Sequence, residues 1–121
     1  MADEITVNLS LSAKKGYLNF KESTGNFLVT MNGTTGAGGI QTIGTTGELL
    51  GVTDVGTAGY AFFRNTDTTN FVEIGIQVAG TFYPFVKLKA GESCVLRLGT
   101  NTPYARSNTL TTNLQYFILS D

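Results

Sequence analysis

Hydrophobic and polar residues alternate along most of this chain with a period of two residues. Between Asn65 and Gly99 the alternation runs through two segments joined by a glycine turn, and a third segment follows a Lys-Ala-Gly-Glu turn. Because successive side chains of a β-strand point to opposite faces, this spacing predicts half-buried antiparallel strands. The pattern therefore predicts sheet structure across this stretch.

Strands are also predicted towards both ends of the chain. Residues 5–11 alternate strictly, and residues 114–119 are apolar on both sides, which predicts a central strand. Shorter strands are predicted at residues 18–20 and 27–31, separated by a turn at 23–26 whose glycine and asparagine tolerate positive φ. About eight or nine strands result, without a convincing helix.

The segments 72–78 and 82–88 predict a hairpin whose register can be argued from its sequence. A three-residue loop, 79–81, keeps apolar residues opposite one another and sets Glu73 opposite Lys87, whereas a two-residue loop at Ala79-Gly80 mixes apolar and charged positions. The predicted apolar pairs are Val72 with Leu88, Ile74 with Val86 and Ile76 with Pro84. Since proline cannot donate to a ladder, its strand is expected at a sheet edge or with a bulge there.

Together these elements predict an all-β fold: a single antiparallel β-sandwich, jelly-roll-like, that spans residues 1–121. A domain of this length buries about two-thirds of its unfolded surface, so it can fold without disulfides or metals. We expect a flexible N-terminus and a Gly/Thr-rich loop at residues 32–47, with one or two short strands near residues 40–43 and 48–52.

Charge and targeting signals narrow the expected partners. The formal net charge is −1, and no basic stretch extends beyond Lys14-Lys15. Nucleic acid is therefore not an expected partner, because its phosphates select stripes of lysine and arginine. The N-terminus lacks the features of a cleaved signal peptide, and no segment approaches the ~20 apolar residues of a membrane helix. We expect synthesis in the host cytoplasm and no membrane partner.

Few side chains suited to catalysis are present. The sequence has no histidine and one cysteine, which excludes Ser-His and Cys-His pairs, an internal disulfide and a Cys/His zinc site. Cys94 falls on the apolar side of its strand, where a small buried hydrophobe is expected. The glycines at 36–39 do not match a phosphate-binding loop, since no lysine follows them. We expect no enzymatic activity and no cofactor.

Acidic and amide side chains leave two minor possibilities open. A carboxylate pair for glycoside hydrolysis would come from Asp54, Asp67, Glu73 and Glu92. Oxygen ligands for calcium would come from Asn65, Asp67 and Asn70. Ordinary structural roles are favoured for all of them, because turns select Asp and Asn for local hydrogen bonds and Glu73 is predicted to face a lysine.

Exposed aromatic residues are the strongest sign of a binding surface. If Ile74 and Val86 face the core, alternation turns Phe71, Tyr83 and Phe85 outward. Contiguous exposed aromatics on a sheet usually mark contact with a partner. The alternative is that the protein's own glycine-rich segment covers them.

The second half of the chain resembles small structural proteins of tailed bacteriophages. The similar motifs lie in residues 59–121: FRN at a strand end, NFVEIGI after a Thr/Asn turn, FYPFVKLKAGE, an apolar strand with arginine, YARSN and a final YFILSD. None of these motifs is catalytic. The resemblance implies a virion structural protein.

Within a virion, the favoured interpretation is a capsid decoration (cement) protein on the capsid surface. It would bind the assembled lattice of the major capsid protein and stabilise it by mass action. A homo-oligomer is expected, with a trimer favoured. The alternatives are a tail, neck or head-fibre component and, in another class, a carbohydrate-binding adhesion module.

Contact residues for this role are predicted in three places. Flexible segments that order on binding are the N-terminal residues Ala2, Asp3, Glu4 and Ile5 or the loop 33–39 with Gly36, Gly38 and Gly39. The predicted patch for the oligomer or another partner consists of Phe71, Tyr83 and Phe85.

Overall fold

The computed structural model describes residues 2–121, and its regular elements are β-strands throughout. This confirms the predicted all-β class. No helix long and apolar enough to cross a membrane occurs in the described residues. The strands are β1 (Ile5–Lys15), β2 (Leu18–Val29), β3 (Gly36–Ile43), β4 (Glu48–Leu49), β5 (Ala58–Asn65), β6 (Val72–Val78), β7 (Thr81–Leu88), β8 (Ser93–Arg97), β9 (Tyr104–Ser107) and β10 (Thr112–Ser120).

The chain divides into two compact units, the first ending at Asn32 and the second comprising Gly33–Asp121. In the second unit, one sheet has the strand order β3-β10-β5-β8 and the other has the order β4-β9-β6-β7. All paired strands are antiparallel. Eight strands in this two-sheet order form a jelly roll, as predicted. Sequence analysis placed residues 1–121 in the sandwich, whereas the sandwich strands begin at Gly36.

The core lies between the two sheets of the sandwich. Phe63 of β5, Val72 of β6 and Leu114 of β10 are completely buried there. Strand β10 lies between β3 and β5, which confirms the prediction that residues 114–119 form a central strand. Strand β9 went unpredicted, because its four residues, YARS, are too few to show alternation.

The β6–β7 hairpin combines both registers that the sequence allows. Away from the turn, the pairs Val72 with Leu88, Glu73 with Lys87 and Ile74 with Val86 are as predicted. Next to the turn, Ile76 pairs with Tyr83, so the predicted pairing of Ile76 with Pro84 and the three-residue loop were wrong.

A bulge joins the two halves of this hairpin. The register shifts between Ile74 and Gly75, so Phe85 has no partner on β6. The loop is Ala79-Gly80, with φ of 50° and 81°, the positive values of a type I′ turn, whose twist matches that of the strands. Pro84 lies beside the bulge on β7, which is an edge strand, as predicted.

Strands β1 and β2 form a two-stranded sheet of their own. The predicted turn at residues 23–26 is instead a bulge within β2, where Thr24 and Gly25 together oppose Leu9. Gly25 has φ of 63°, the left-handed conformation that glycine adopts in such bulges. The Thr24 hydroxyl accepts a hydrogen bond from the Leu9 amide at 3.1 Å and so replaces a missing ladder partner.

The glycine-rich segment contains a strand where a loop was expected. β3 begins at Gly36 and pairs with β10 along its whole length. A Cβ added to Gly36 or Gly38 would lie 2.6 Å from ring carbons of Phe117. The two glycines thus leave room for this aromatic ring across the strand. Glycine has no side chain to contribute to alternation, so the sequence pattern predicted only the second half of this strand, near residues 40–43.

Candidate functional site

The predicted flexible contacts lie in two different strands and their flanks. Ala2, Asp3 and Glu4 precede β1, and the Glu4 carboxylate accepts a hydrogen bond from the Met31 amide at 3.0 Å. Ile5 begins β1 and is half-buried. The other predicted contacts, Gly36, Gly38 and Gly39, lie in β3 and pair with β10. The structure therefore places both sets in or beside ordered sheet.

The three predicted aromatics do not form one patch. Phe71 is half-buried, and the Nζ of Lys87 lies 4.1 Å from the centre of its ring. Tyr83 pairs with Ile76 and therefore lies on the same face of the sheet as Val72, which points to the core. Phe71 lies on the opposite face. The extra residue in the β7 bulge causes this separation, because it changes which side chains of β7 share a face.

An apolar pocket opens between the two sheets beside Phe85. It has a volume of about 260 Å³ and is lined mainly by Phe63, Ile74, Ile76, Phe85, Val86, Leu96, Leu98 and Pro103. We call it the edge pocket, because β7 and β8 are edge strands of their sheets. Phe63 is buried in the core, whereas Phe85 is 90% exposed. The pocket thus leads from the core to an aromatic side chain held out by the bulge.

Exposed apolar side chains continue from Phe85 along the β6–β7 hairpin. They form the edge patch, which consists of Ile76, Val78, Tyr83 and Phe85. The edge patch is an exposed apolar surface, and the edge pocket beside it is a cavity large enough to receive a side chain of a partner. Two of the three predicted aromatics belong to this surface, whereas the Phe71 ring is half-buried beneath Lys87.

The polar turn after β5 satisfies its own hydrogen bonds. Asn65 is completely buried, and its Nδ2 donates to the carbonyls of Asn70 and Leu88 at 2.8 and 3.0 Å. The Asp67 carboxylate accepts from the amides of Asn70 and Thr69 at 2.6 and 2.9 Å. These bonds, that from Asn70 first, hold the pKa of Asp67 below its usual range. Each side chain therefore has a structural role in the turn.

Other candidate groups also have local partners. The Glu73 carboxylate forms an ion pair with Arg106 at 2.8 Å, and that of Glu92 accepts a hydrogen bond from the Lys89 amide at 2.7 Å. Cys94 packs against the core and is half-buried, and burial raises the pKa of its thiol. Within residues 2–121, no group of three or more His, Cys, Asp and Glu side chains is placed to hold a metal ion.

A second apolar surface lies on the β1–β2 hairpin, and sequence analysis missed it. We call it the hairpin face, and its apolar residues are Ile5, Val7, Leu9, Leu11, Ala13, Leu18, Phe20, Phe27 and Val29. Two charged residues, Lys15 and Glu22, lie on the same face. The bulge at Thr24-Gly25 gathers these residues, because without its extra residue Phe27 and Val29 would face away from Leu18 and Phe20. The sequence gives no distinct signal for this surface, because a glycine at position 25 fits a turn as well as a bulge.

Most of the hairpin face is open to solvent. Leu11 is 67% exposed, Leu9, Leu18 and Phe20 are also exposed, and Val7 alone among residues 5–29 is buried. The opposite face carries mainly Asn, Ser, Thr and Lys side chains. The hairpin is therefore an amphipathic sheet.

Comparison with known proteins gives no assignment: family models, curated proteins and solved structures all return no match. Function is therefore inferred from the edge patch, the edge pocket and the hairpin face.

Proposed function

We propose that this protein is a structural component of a tailed-bacteriophage particle, a capsid decoration protein that binds the assembled shell of major capsid protein and stabilises it. The observation that carries the proposal is the edge patch, in which Phe85 is held almost fully in solvent beside an apolar pocket. Exposed apolar and aromatic surface of this kind marks protein contact. The sequence motifs similar to those of phage structural proteins supply the biological setting.

The pocket and the patch together support a contact with defined geometry. A side chain of the shell protein that enters the edge pocket would be enclosed by residues of β5 to β8, and the same partner would bury Phe85. Aromatic anchors and filled pockets supply most of the binding energy of such interfaces.

Stabilisation then follows from mass action. A protein that binds only the assembled shell lowers the free energy of that state and not of the separate subunits. Contact between neighbouring shell subunits and one decoration protein adds interface area. No bond is formed or broken in this mechanism.

Protein composition of purified particles tests the proposal. Mass spectrometry of virions from the genome that encodes this chain should find it in hundreds of copies. A few copies would support a tail, neck or head-fibre position instead. Its absence from purified particles would exclude every virion role.

A substitution then tests the edge patch. Phe85→Ala should lower the occupancy of limiting protein on particles about tenfold or more, because losing an aromatic anchor typically costs ~2 kcal/mol or more. The matched control is Leu110→Ala, since Leu110 is also an exposed apolar residue of the second unit but lies outside the patch. Equal occupancy for both variants would place the shell contact elsewhere.

A further inference from the structure

We infer that the free edge of β8 accepts an extended segment of the shell protein, which pairs with β8 as an added strand and inserts an apolar side chain into the edge pocket. The inference rests on the proposed function and deepens it, because it names the kind of segment that binds beside the edge patch. It requires hydrogen bonds between main chains, which a contact through Phe85 alone does not.

The jelly roll is closed at one pair of edge strands and open at the other. Where β3 leads into β4, Ile43 and Leu50 are completely buried. At the other pair, Val86 of β7 and Leu96 of β8 also pack against the core but are only half-buried. The edge pocket opens between these two strands. The sandwich therefore lacks cover at this edge, where an additional strand would lie.

The backbone of β8 has hydrogen-bonding groups available for such a strand. The Leu98 amide donates to the Gly59 carbonyl at 3.0 Å, and the Asn65 amide donates to the Glu92 carbonyl at 2.9 Å. Because hydrogen-bonded pairs alternate along an antiparallel ladder, every second residue of β8 bonds to β5 and the others point away from the sheet. The residues that point away are Ser93, Val95 and Arg97. Within the described residues, their amides and carbonyls have no hydrogen-bond partner.

Of the two edge strands beside the pocket, β8 is the one suited to pairing. On β7, Pro84 has no amide to donate, and the bulge interrupts the register. β8 keeps a continuous register with β5 and contains no proline and no lysine. Its five residues match the common length of a strand. Proline, lysine and bulges are the features that protect sheet edges from pairing, and β8 lacks all three.

The pocket determines the chemistry of the added segment. Side chains of an added strand alternate between the faces of the sheet, so those on the same face as Leu96 point into the edge pocket, whose lining is mainly apolar. The segment is therefore extended, with apolar residues at alternate positions. In strand addition of this kind, main-chain hydrogen bonds supply affinity and side-chain pockets supply specificity. Phe85 lines the same pocket, and this continuity with the edge patch assigns the segment to the shell protein.

Proline substitutions at two free edges test the strand addition. Val95→Pro removes an amide that points away from the sheet, and should lower the occupancy of limiting protein on shells assembled without this chain at least about tenfold. Ile40→Pro is the matched control. The Ser120 amide donates to the Thr35 carbonyl, so by the same alternation the Ile40 amide points to the free edge of β3. This variant should bind as wild type does, and circular dichroism reports the folding of both.

Amide hydrogen exchange of the wild-type protein gives a second test that needs no substitution. The protein is exchanged free in solution and while bound to the same shells, then released and measured by mass spectrometry. Residues 93–97 should gain slowly exchanging amides on binding, because the outward amides acquire hydrogen bonds. Residues 36–43, at the edge of the same sheet beside β4, should exchange equally in both states.

Three results would overturn the inference. Equal occupancy of the two proline variants, or bound protein without added protection at residues 93–97, would show that the shell contacts side chains of the edge patch only, and the proposed function would stand. An oligomer that forms without shells and that Val95→Pro dissociates would assign the β8 edge to a second copy. Wild-type protein that does not bind shells would remove both the inference and the proposed function.

Discussion

The hairpin of β1 and β2 and the jelly-roll sandwich are built from the same alternating pattern but differ in what their apolar faces meet. In the sandwich, Leu114 is completely buried against the facing sheet, whereas Leu11 of the hairpin is 67% exposed. Alternation determines which side chains share a face of a strand. It does not determine whether another layer covers that face, because the cover depends on contacts distant in sequence or on another chain.

The two regions also use β-bulges to different effect. In β2, the bulge at Gly25 brings apolar residues from both strands onto one face. In β7, the bulge separates Tyr83 from Phe71 and leaves Phe85 in solvent. One extra residue changes the face of every side chain beyond it. Bulges therefore determine the position of the candidate contact surfaces in both regions.

The largest expected difference between the regions is the loss of unfolding free energy when one leucine in each is replaced by alanine. Leu114→Ala should reduce the free energy of unfolding by about 2–5 kcal/mol, because it removes buried apolar surface and leaves a cavity in the sandwich core. Leu11→Ala should change it by less than about 0.5 kcal/mol in dilute protein, where the side chain is exposed. Urea denaturation followed by circular dichroism measures both. Similar losses would show that Leu11 is buried in solution, which would remove the contrast between the regions.

A second comparison concerns the glycines at the two bulges. A Cβ on Gly75 would lie 2.9 Å from the Cα of Pro84 and closer still to the carbonyl oxygen of Tyr83. Gly75→Ala should therefore cost about 1–3 kcal/mol through strain in the backbone of the paired strand. Around Gly25 the space is open, so Gly25→Ala should cost only the ~1–2 kcal/mol of a left-handed alanine.

The two substitutions should also destabilise different regions of the molecule. Gly75→Ala should lower the midpoint of urea unfolding for the whole sandwich. Gly25→Ala should instead raise amide hydrogen exchange in β1 and β2, because local opening reports local stability. Gly56→Ala is the control, since it has neither a positive φ nor a neighbour within 4 Å, and it should be close to neutral. Unchanged exchange in the Gly25 variant would mean that the bulge does not limit the stability of the hairpin.

These differences show how far sequence alone predicts the structure. The all-β class, the central position of β10 and three pairs of the β6–β7 hairpin follow from alternation, which is a local property. Alternation does not predict the bulges, because a glycine suited to positive φ fits a turn and a bulge equally well. Gly25 illustrates this, since the residues predicted as a turn form a bulge. The candidate surfaces were missed or divided wherever a bulge changed the face.

The smallest expected effect is a pH dependence confined to the sandwich. Backbone amides of Asn70 and Thr69 lower the pKa of Asp67 in the folded protein, so this carboxylate contributes stability above its unfolded pKa of about 3.9. That contribution is lost as the pH falls through the lower folded pKa. Asp67→Asn should therefore be less stable than wild type at neutral pH, and the difference should vanish under strongly acidic conditions. Urea unfolding between neutral and acidic pH measures this, while amide exchange in β1 and β2 should respond equally to pH in both proteins. Parallel pH profiles of unfolding would show that the Asp67 charge adds nothing to the turn.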